Sequence, residues 1–148
     1  ITTLIKDKEA FKETIDQMGS LVSKIKFDKL GAIEARGFIF ASALSYRLSK
    51  SLILMRKQDK LPAETFSQDF ILEYGKATIE IHKDSINKNE SVLIVDDLIA
   101  TGGTAAASCQ LIEKLGAEII ACAFIVELDF LNGREKLSKY NIHSLIHY

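Results

Sequence analysis

The chain has 148 residues, 47% hydrophobic and 26% charged, which is enough to bury one real core and too little for two ordinary domains, so a single domain over 1–148 is expected. Lys and Arg number 19 against 20 Asp and Glu, a balance that gives no footprint for nucleic acid or an anionic membrane, so any anionic ligand must be held locally. No apolar run approaches a bilayer span and no signal peptide opens the chain, while Cys109 and Cys122 sit in apolar surroundings without metal-ligand spacing; a cytoplasmic protein is expected.

In chain order, Phe11, Ile15, Met18, Val22 and Ile25 recur at steps of three and four, the stripe of a surface helix, with Asp7 as its cap. Lys29 to Ile33 reads as a short buried strand, Glu34 to Gly37 as a turn, and Phe38 to Leu48 as a second helix. Ser51 to Met55 is a second strand. Arg56 to Phe70 is polar, carries the only proline and shows neither period, so it is expected as a long flexible loop of the kind that serves as a lid. Ile71 to Tyr74 and Thr78 to His82 alternate around Gly75 as an antiparallel hairpin, and Asn87 to Glu90 makes a turn. Ser91 to Val95 is a continuous apolar strand, followed by an acidic pair, a glycine turn and a helix from about Gly103 to Leu115 that Gly116 ends. Glu118 to Leu128 reads as an interior strand, Asn132 to Lys139 as a short helix and His143 to Ile146 as a last strand. Strands alternating with helices predict an α/β fold: an open, mostly parallel twisted sheet flanked by helices, Rossmann-like, with the lid loop and the hairpin added.

Ligands of an open parallel sheet bind at the carboxyl ends of its strands, and Asp96 to Thr104 occupies that place. Asp96 and Asp97 can accept hydrogen bonds from vicinal hydroxyls and attract a divalent ion. Ala100-Thr101-Gly102-Gly103-Thr104 gathers backbone N–H groups, two hydroxyls and a helix N-terminus at one point, an anion nest whose glycines let the backbone approach phosphate oxygens. Such a turn alone reads equally well as a tight strand-to-helix connection. The acidic pair before it shifts the balance, because adjacent carboxylates at a strand mouth repel unless a cation or hydroxyls bind them. A Walker A loop is excluded by the missing Gly-Lys-Ser/Thr, and a dinucleotide fingerprint by the missing Gly-x-Gly-x-x-Gly spacing, which leaves a phosphorylated sugar with a metal.

The run Val92 to Thr104 resembles the signature of type I phosphoribosyltransferases, which bind 5-phosphoribosyl-1-pyrophosphate (PRPP). Glu34 to Phe40, Arg56-Lys57 with Lys60-Leu61-Pro62, Leu72 to Gly75, Ile81 to Asp84 and Gly133 to Leu137 are similar, in order, to the adenine-specific branch of that family. The resemblance implies that Ala100, Thr101, Gly102, Gly103 and Thr104 hold the 5-phosphate and that Asp96 and Asp97 hold the ribose hydroxyls. It assigns Ala35, Arg36 and Gly37 to a pyrophosphate loop, and Arg36 also sits on a strand-to-helix turn where its guanidinium can grip two phosphate oxygens or, read alone, form a surface ion pair. Arg56, Lys57 and Lys60 match residues that neutralise pyrophosphate, Glu73 and Tyr74 match a lid's catalytic glutamate and tyrosine, and Leu98 and Leu128 match apolar walls of the purine site. As bare residues, these would read as a solvated charge cluster, an edge strand and core.

The implied reaction converts adenine and PRPP to AMP and pyrophosphate, with Mg²⁺ as cofactor carried by the donor near Asp96 and Asp97 rather than by a dedicated protein site. Glu73, Asp96, Asp97 and Arg36 would carry the catalysis, and a homodimer is expected. The family's purine-covering segment, rich in Pro, Gly and Phe, would precede Ile1-Thr2-Thr3-Leu4 and is missing from these residues, so base specificity rests on the rest of the chain. His82, His143 and His147 have no partner spacing and are expected to be satisfied structural residues, and the cysteines to be small core residues. Another base specificity, or a PRPP-sensing regulator without activity, is the rival reading; no added DNA-binding domain or basic patch favours the regulator.

Overall fold

The computed structural model describes the backbone of residues 1–72 and 75–148 and all of their side chains but that of Leu72. Helices α1 (Thr2–Lys6) and α2 (Lys8–Val22) open the chain. Asp7 stands between them in extended conformation, and its carboxylate accepts the backbone N–H groups of Glu9 at 3.0 Å and Ala10 at 2.9 Å. Those are donors that a helix start otherwise leaves to water. Asp7→Ala is expected to lower stability by about 1 kcal/mol, or roughly 2–4 °C in melting temperature, measurable by thermal unfolding followed by circular dichroism. The apolar stripe holds through the buried Ile15, Met18 and Val22, while Ile25 lies in the turn beyond the helix.

Strands β1 (Lys29–Ile33), β2 (Ser51–Lys57), β3 (Thr65–Leu72), β4 (Gly75–His82), β5 (Ser91–Ile99), β6 (Glu118–Glu127) and β7 (Ile142–His147) form one sheet in the order β3-β4-β2-β1-β5-β6-β7. The run β2-β1-β5-β6-β7 is parallel, and the β3–β4 hairpin joins it antiparallel through Arg56 with Glu80 and Lys57 with Ile79. Helix α3 (Gly37–Leu48) follows β1, and α4 (Gly103–Lys114) follows β5. Alternation along β5 explains why its sequence is apolar without a break. Val92 and Ile94 pack with Leu111 and Ile112 of α4, whereas Leu93 and Val95 pack with Met18 of α2 and Phe40 and Leu44 of α3. Both faces are buried, as in parallel sheets generally. Among the described residues no helix is long and apolar enough to cross a membrane.

Several expectations are corrected. Residues 56–70 are not one long loop: β2 continues through Lys57 and β3 starts at Thr65, leaving residues 58–64 as the connection. Being an edge strand, β3 takes its order from the β4 ladder, from Thr65 opposite His82 to Leu72 opposite Gly75, and not from an apolar period; Phe66 remains 44% exposed. The strand Ser91–Val95 extends to Ile99, so the acidic pair belongs to β5 and not to a turn after it. The expected helix over 132–139 is two 3₁₀ turns, Asp129–Leu131 and Gly133–Leu137, separated by Asn132 at φ 51°. The last strand begins and ends one residue further out than the apolar run suggested, at Ile142 and His147. Gly116 does end α4, at φ 83° and with its N–H on the carbonyl of Glu113. Cys109 and Cys122 are fully buried, their sulfurs 3.6 Å apart. Of the histidines, His147 Nδ1 lies 2.9 Å from Asp129 Oδ1, but His82 Nδ1 is buried without a partner among the described residues, so it is not the satisfied group expected.

Candidate active site

The carboxyl ends of β1 and β5 open into a cavity of about 380 Å³. Its walls are Glu34, Ala35 and Arg36 from the β1–α3 turn, Lys57 from the end of β2, Asp96, Asp97 and Leu98 from β5, and the turn Ala100 to Ala105. The topology dictates this meeting point, because parallel neighbours β2, β1 and β5 all end on the same edge of the sheet.

Gly102 carries the turn. At φ 74° it adopts the left-handed conformation that a side chain resists, and it is the N-cap of α4 without a side-chain acceptor. The first N–H groups of a twelve-residue helix therefore face the cavity together with Thr101 and Thr104, and the helix dipole adds positive potential there. A second constraint acts from behind. A Cβ on Gly102 would stand 2.3 Å from the carbonyl oxygen of Gly133, and a Cβ on Gly133 would stand 2.3 Å from that of Ala100. Two backbones thus meet where only two glycines fit.

Asp96 and Asp97, adjacent on β5, line the same cavity. The backbone N–H of Asp97 donates to Asp96 Oδ1 at 2.8 Å, and Asp97, only 4% exposed, accepts from the Nε–H of Arg36. Burial raises the Asp96 carboxyl well above the usual carboxylate range, and the neighbouring Asp97 charge pushes the same way; the Asp97 N–H and Arg36 oppose it in part. Gly37 lets the start of α3 approach closely, since a Cβ there would lie 2.7 Å from Asp96 Oδ1. The Glu34–Ala35 peptide bond preceding Arg36 is cis.

Glu34 is a member of the site that residue-level reading passed over. Its Oε2 accepts the backbone N–H of Lys57 at 2.8 Å and the Nε–H of Arg56 at 3.3 Å, which ties the end of β2 to the β1 turn. Burial alone would raise the Glu34 carboxyl; the Lys57 N–H and the Arg56 guanidinium outweigh it and hold it below the ordinary value. The motif Glu34 to Gly37 signalled this residue only as a flank of Arg36.

The structure therefore gathers Ala35, Arg36, Lys57, Asp96, Asp97, Leu98 and Ala100 to Thr104 around one cavity, with Gly37 immediately behind it. Arg56 and Lys60 are set apart: Arg56 pairs with Glu34 and donates through Nη1 to the Lys60 carbonyl at 3.1 Å. Leu128 lines a second, more apolar cavity of about 560 Å³ with Leu4, Val126 and Tyr148, and Leu98 borders both. Glu73 and Tyr74 lie outside the described residues.

The phosphoribosyl transferase domain matches residues 3–145. The adenine phosphoribosyltransferase of Pelagibacter ubique is 55% identical over 150 residues, covering 100% of this chain and 86% of the relative. Among solved structures, that of adenine phosphoribosyltransferase from Thermoanaerobacter pseudethanolicus superposes with a TM-score of 0.97 at 47% identity, over 100% of this chain and 86% of the other. The enzyme from Saccharomyces cerevisiae, complexed with an imino-altritol bisphosphate and adenine, gives a TM-score of 0.88 at 37% identity, over 96% and 82%. A cavity built from an acidic pair and a glycine turn on this sheet, and similarity along the whole chain, lead to one assignment: the chain belongs to the phosphoribosyl transferase domain family, in its adenine phosphoribosyltransferase branch.

Proposed function

We propose that residues 1–148 act as one phosphoribosyltransferase core that transfers the 5-phosphoribosyl group of PRPP to adenine, giving AMP and pyrophosphate. The observation that carries this reading is the Gly102 turn at the start of α4, which, with Asp96 and Asp97, lines one cavity large enough for a sugar phosphate. Relatives that bear the adenine phosphoribosyltransferase name and the yeast enzyme's complex with adenine support the choice of base.

The ring nitrogen of adenine attacks the anomeric carbon as its bond to pyrophosphate breaks, with inversion, and the purine proton passes to a base, the role proposed for Glu73. Ala100 to Thr104 hold the 5-phosphate, and Asp96 and Asp97 accept the ribose hydroxyls while the sugar gains positive charge. Arg36 and Lys57 neutralise the departing pyrophosphate, with Ala35 and Gly37 shaping the loop around it; Arg56 and Lys60 add charge at its edge. For Arg36 this means exchanging the Asp97 carboxylate for pyrophosphate oxygens when donor binds. Leu98 and Leu128 form the apolar wall for the purine, in keeping with the cavity that they share. Tyr74, like Glu73, matches a lid residue of the family, whose role would be to exclude water from the reacting sugar.

The paired carboxylate oxygens suit Mg²⁺, a hard cation that prefers one or two carboxylates together with substrate phosphates. Asp96 and Asp97 would stand beside it, and it would supply charge neutralisation on pyrophosphate. A cytoplasmic homodimer completes the proposal, on the strength of the family resemblance. The test is AMP formation from adenine, PRPP and Mg²⁺, run beside hypoxanthine, guanine, xanthine and orotate. Adenine is expected to exceed each of the others in kcat/KM. Equal or faster turnover of any other base overturns the assignment, and PRPP binding without turnover of any base identifies a sensor.

A further inference from the structure

Glu127 is a buried carboxylate at the end of β6, 4% exposed, that does not line the donor cavity. It accepts two hydrogen bonds from one guanidinium, Arg134 Nε–H at 2.5 Å and Nη2–H at 2.7 Å, and a third from Ser144 Oγ–H at 2.6 Å. Arg134 also donates through Nη1 to the Ile142 carbonyl at 3.3 Å. This planar double pairing is the most directional ion pair that side chains make. Its partner is the residue next to Gly133, whose backbone stands against Ala100 and Gly102. Glu127 itself lies opposite Ile99 in the β5–β6 ladder, one residue before the phosphate turn. A fixed point in the sheet is thereby linked through one guanidinium to the backbone on which the turn rests.

We infer that Glu127 and Arg134 are positioning residues for the 5-phosphate, holding Gly133 so that Ala100 to Thr104 keep the shape of an anion cradle before donor arrives. The inference rests on the proposed phosphoribosyl site and adds to it two residues that never touch substrate. A nest of N–H groups is effective only if it costs no rearrangement when the anion binds, and a displacement of about 1 Å can cost on the order of 100-fold. The carboxyl of Glu127 is held below its ordinary value, first by the Arg134 hydrogen bonds and also by Ser144, against the effect of burial, so the clamp is charged at neutral pH. A metal-type cluster of Glu127, Asp129 and His147 also exists, but Glu127 already spends its oxygens on Arg134 and Ser144.

The test uses Glu127→Gln and Arg134→Lys in the full chain. The first turns one acceptor into an N–H₂ that faces the guanidinium donor to donor; the second keeps the charge and loses the double pairing. Dissociation constants for ribose 5-phosphate and for pyrophosphate are measured by calorimetry on wild type and variants. The expected result is a roughly tenfold weaker ribose 5-phosphate, unchanged pyrophosphate, a raised KM for PRPP and kcat within about twofold. Ser144→Ala, which leaves the ion pair in place, is expected to move the same constant by about twofold and keeps the test decisive if either larger change fails to fold. Equal ribose 5-phosphate affinity in wild type and a folded variant overturns the inference and leaves the proposed site intact, as does a loss shared equally by pyrophosphate. A wild type that does not bind ribose 5-phosphate overturns both.

Discussion

Replacing Asp96 by asparagine is expected to lower kcat/KM by about 100- to 1000-fold, the scale on which a preorganised charge at a reacting centre acts, while raising the melting temperature of the ligand-free protein. The two effects share one cause. In the folded protein burial and the Asp97 charge raise the Asp96 carboxyl above its ordinary value of 3.8, so the folded state holds that proton more tightly than the unfolded chain does. Stability is therefore lost as pH climbs from about that ordinary value through the raised one, so a penalty is present at neutral pH. Asparagine removes the charge and keeps an Oδ1 to accept the Asp97 N–H, so the local hydrogen bond survives. Thermal melts of both proteins from pH 3 to 8 check the sign: the variant should gain at pH 7, by at least about 2 °C, and converge with the parent at the acid end. A variant less stable than the parent at neutral pH, or one with full activity, contradicts the account.

The second large effect is expected from Gly102→Ala. The methyl group would meet the Gly133 carbonyl oxygen at 2.3 Å, a backbone atom that cannot rotate away, and the φ of 74° is itself unfavourable for alanine. Overpacking and left-handed strain together are expected to cost about 2–4 kcal/mol, and relief by moving the turn disperses the N–H groups that would grip phosphate. Affinity for ribose 5-phosphate should fall by at least about 100-fold, beyond detection in a titration that reads wild type easily, with a melting temperature lower by roughly 5–15 °C. Gly103→Ala is the control. Among the described residues its added Cβ would find no atom nearer than the Ile71 carbonyl oxygen at 3.7 Å, so its melting temperature should fall much less. A Gly102→Ala protein with unaltered stability and phosphate affinity would remove the turn from the site.

What could be read from residues alone divides along physical lines. The parallel core was legible because interior strands such as Val92 to Val95 are covered on both faces and write that burial into an unbroken apolar run. The glycine turn that lines the cavity was legible because a left-handed φ and close backbone approach admit little but glycine, as at Gly102. The edge strand β3 was not, since its conformation comes from hydrogen bonds to β4 and its side chains are half in water. Nor was the fate of Arg56, which read with Lys57 and Lys60 as one charge cluster and gave no hint that Glu34 would claim it. The support from Gly133 and Glu127 was invisible for another reason: it is a contact between segments about 30 residues apart, and neither residue departs from what a turn or a strand end ordinarily carries.

Among the described residues, Leu98 alone borders both the polar cavity and the apolar one. On the proposed assignment, grip on the sugar phosphate and preference among nucleobases are housed in separate compartments that share this aliphatic side chain. Traits so divided can drift independently: selection can reshape the apolar chamber at Leu4, Val126 or Leu128 and leave the charged chamber untouched, whereas any change at Leu98 is felt by both substrates at once.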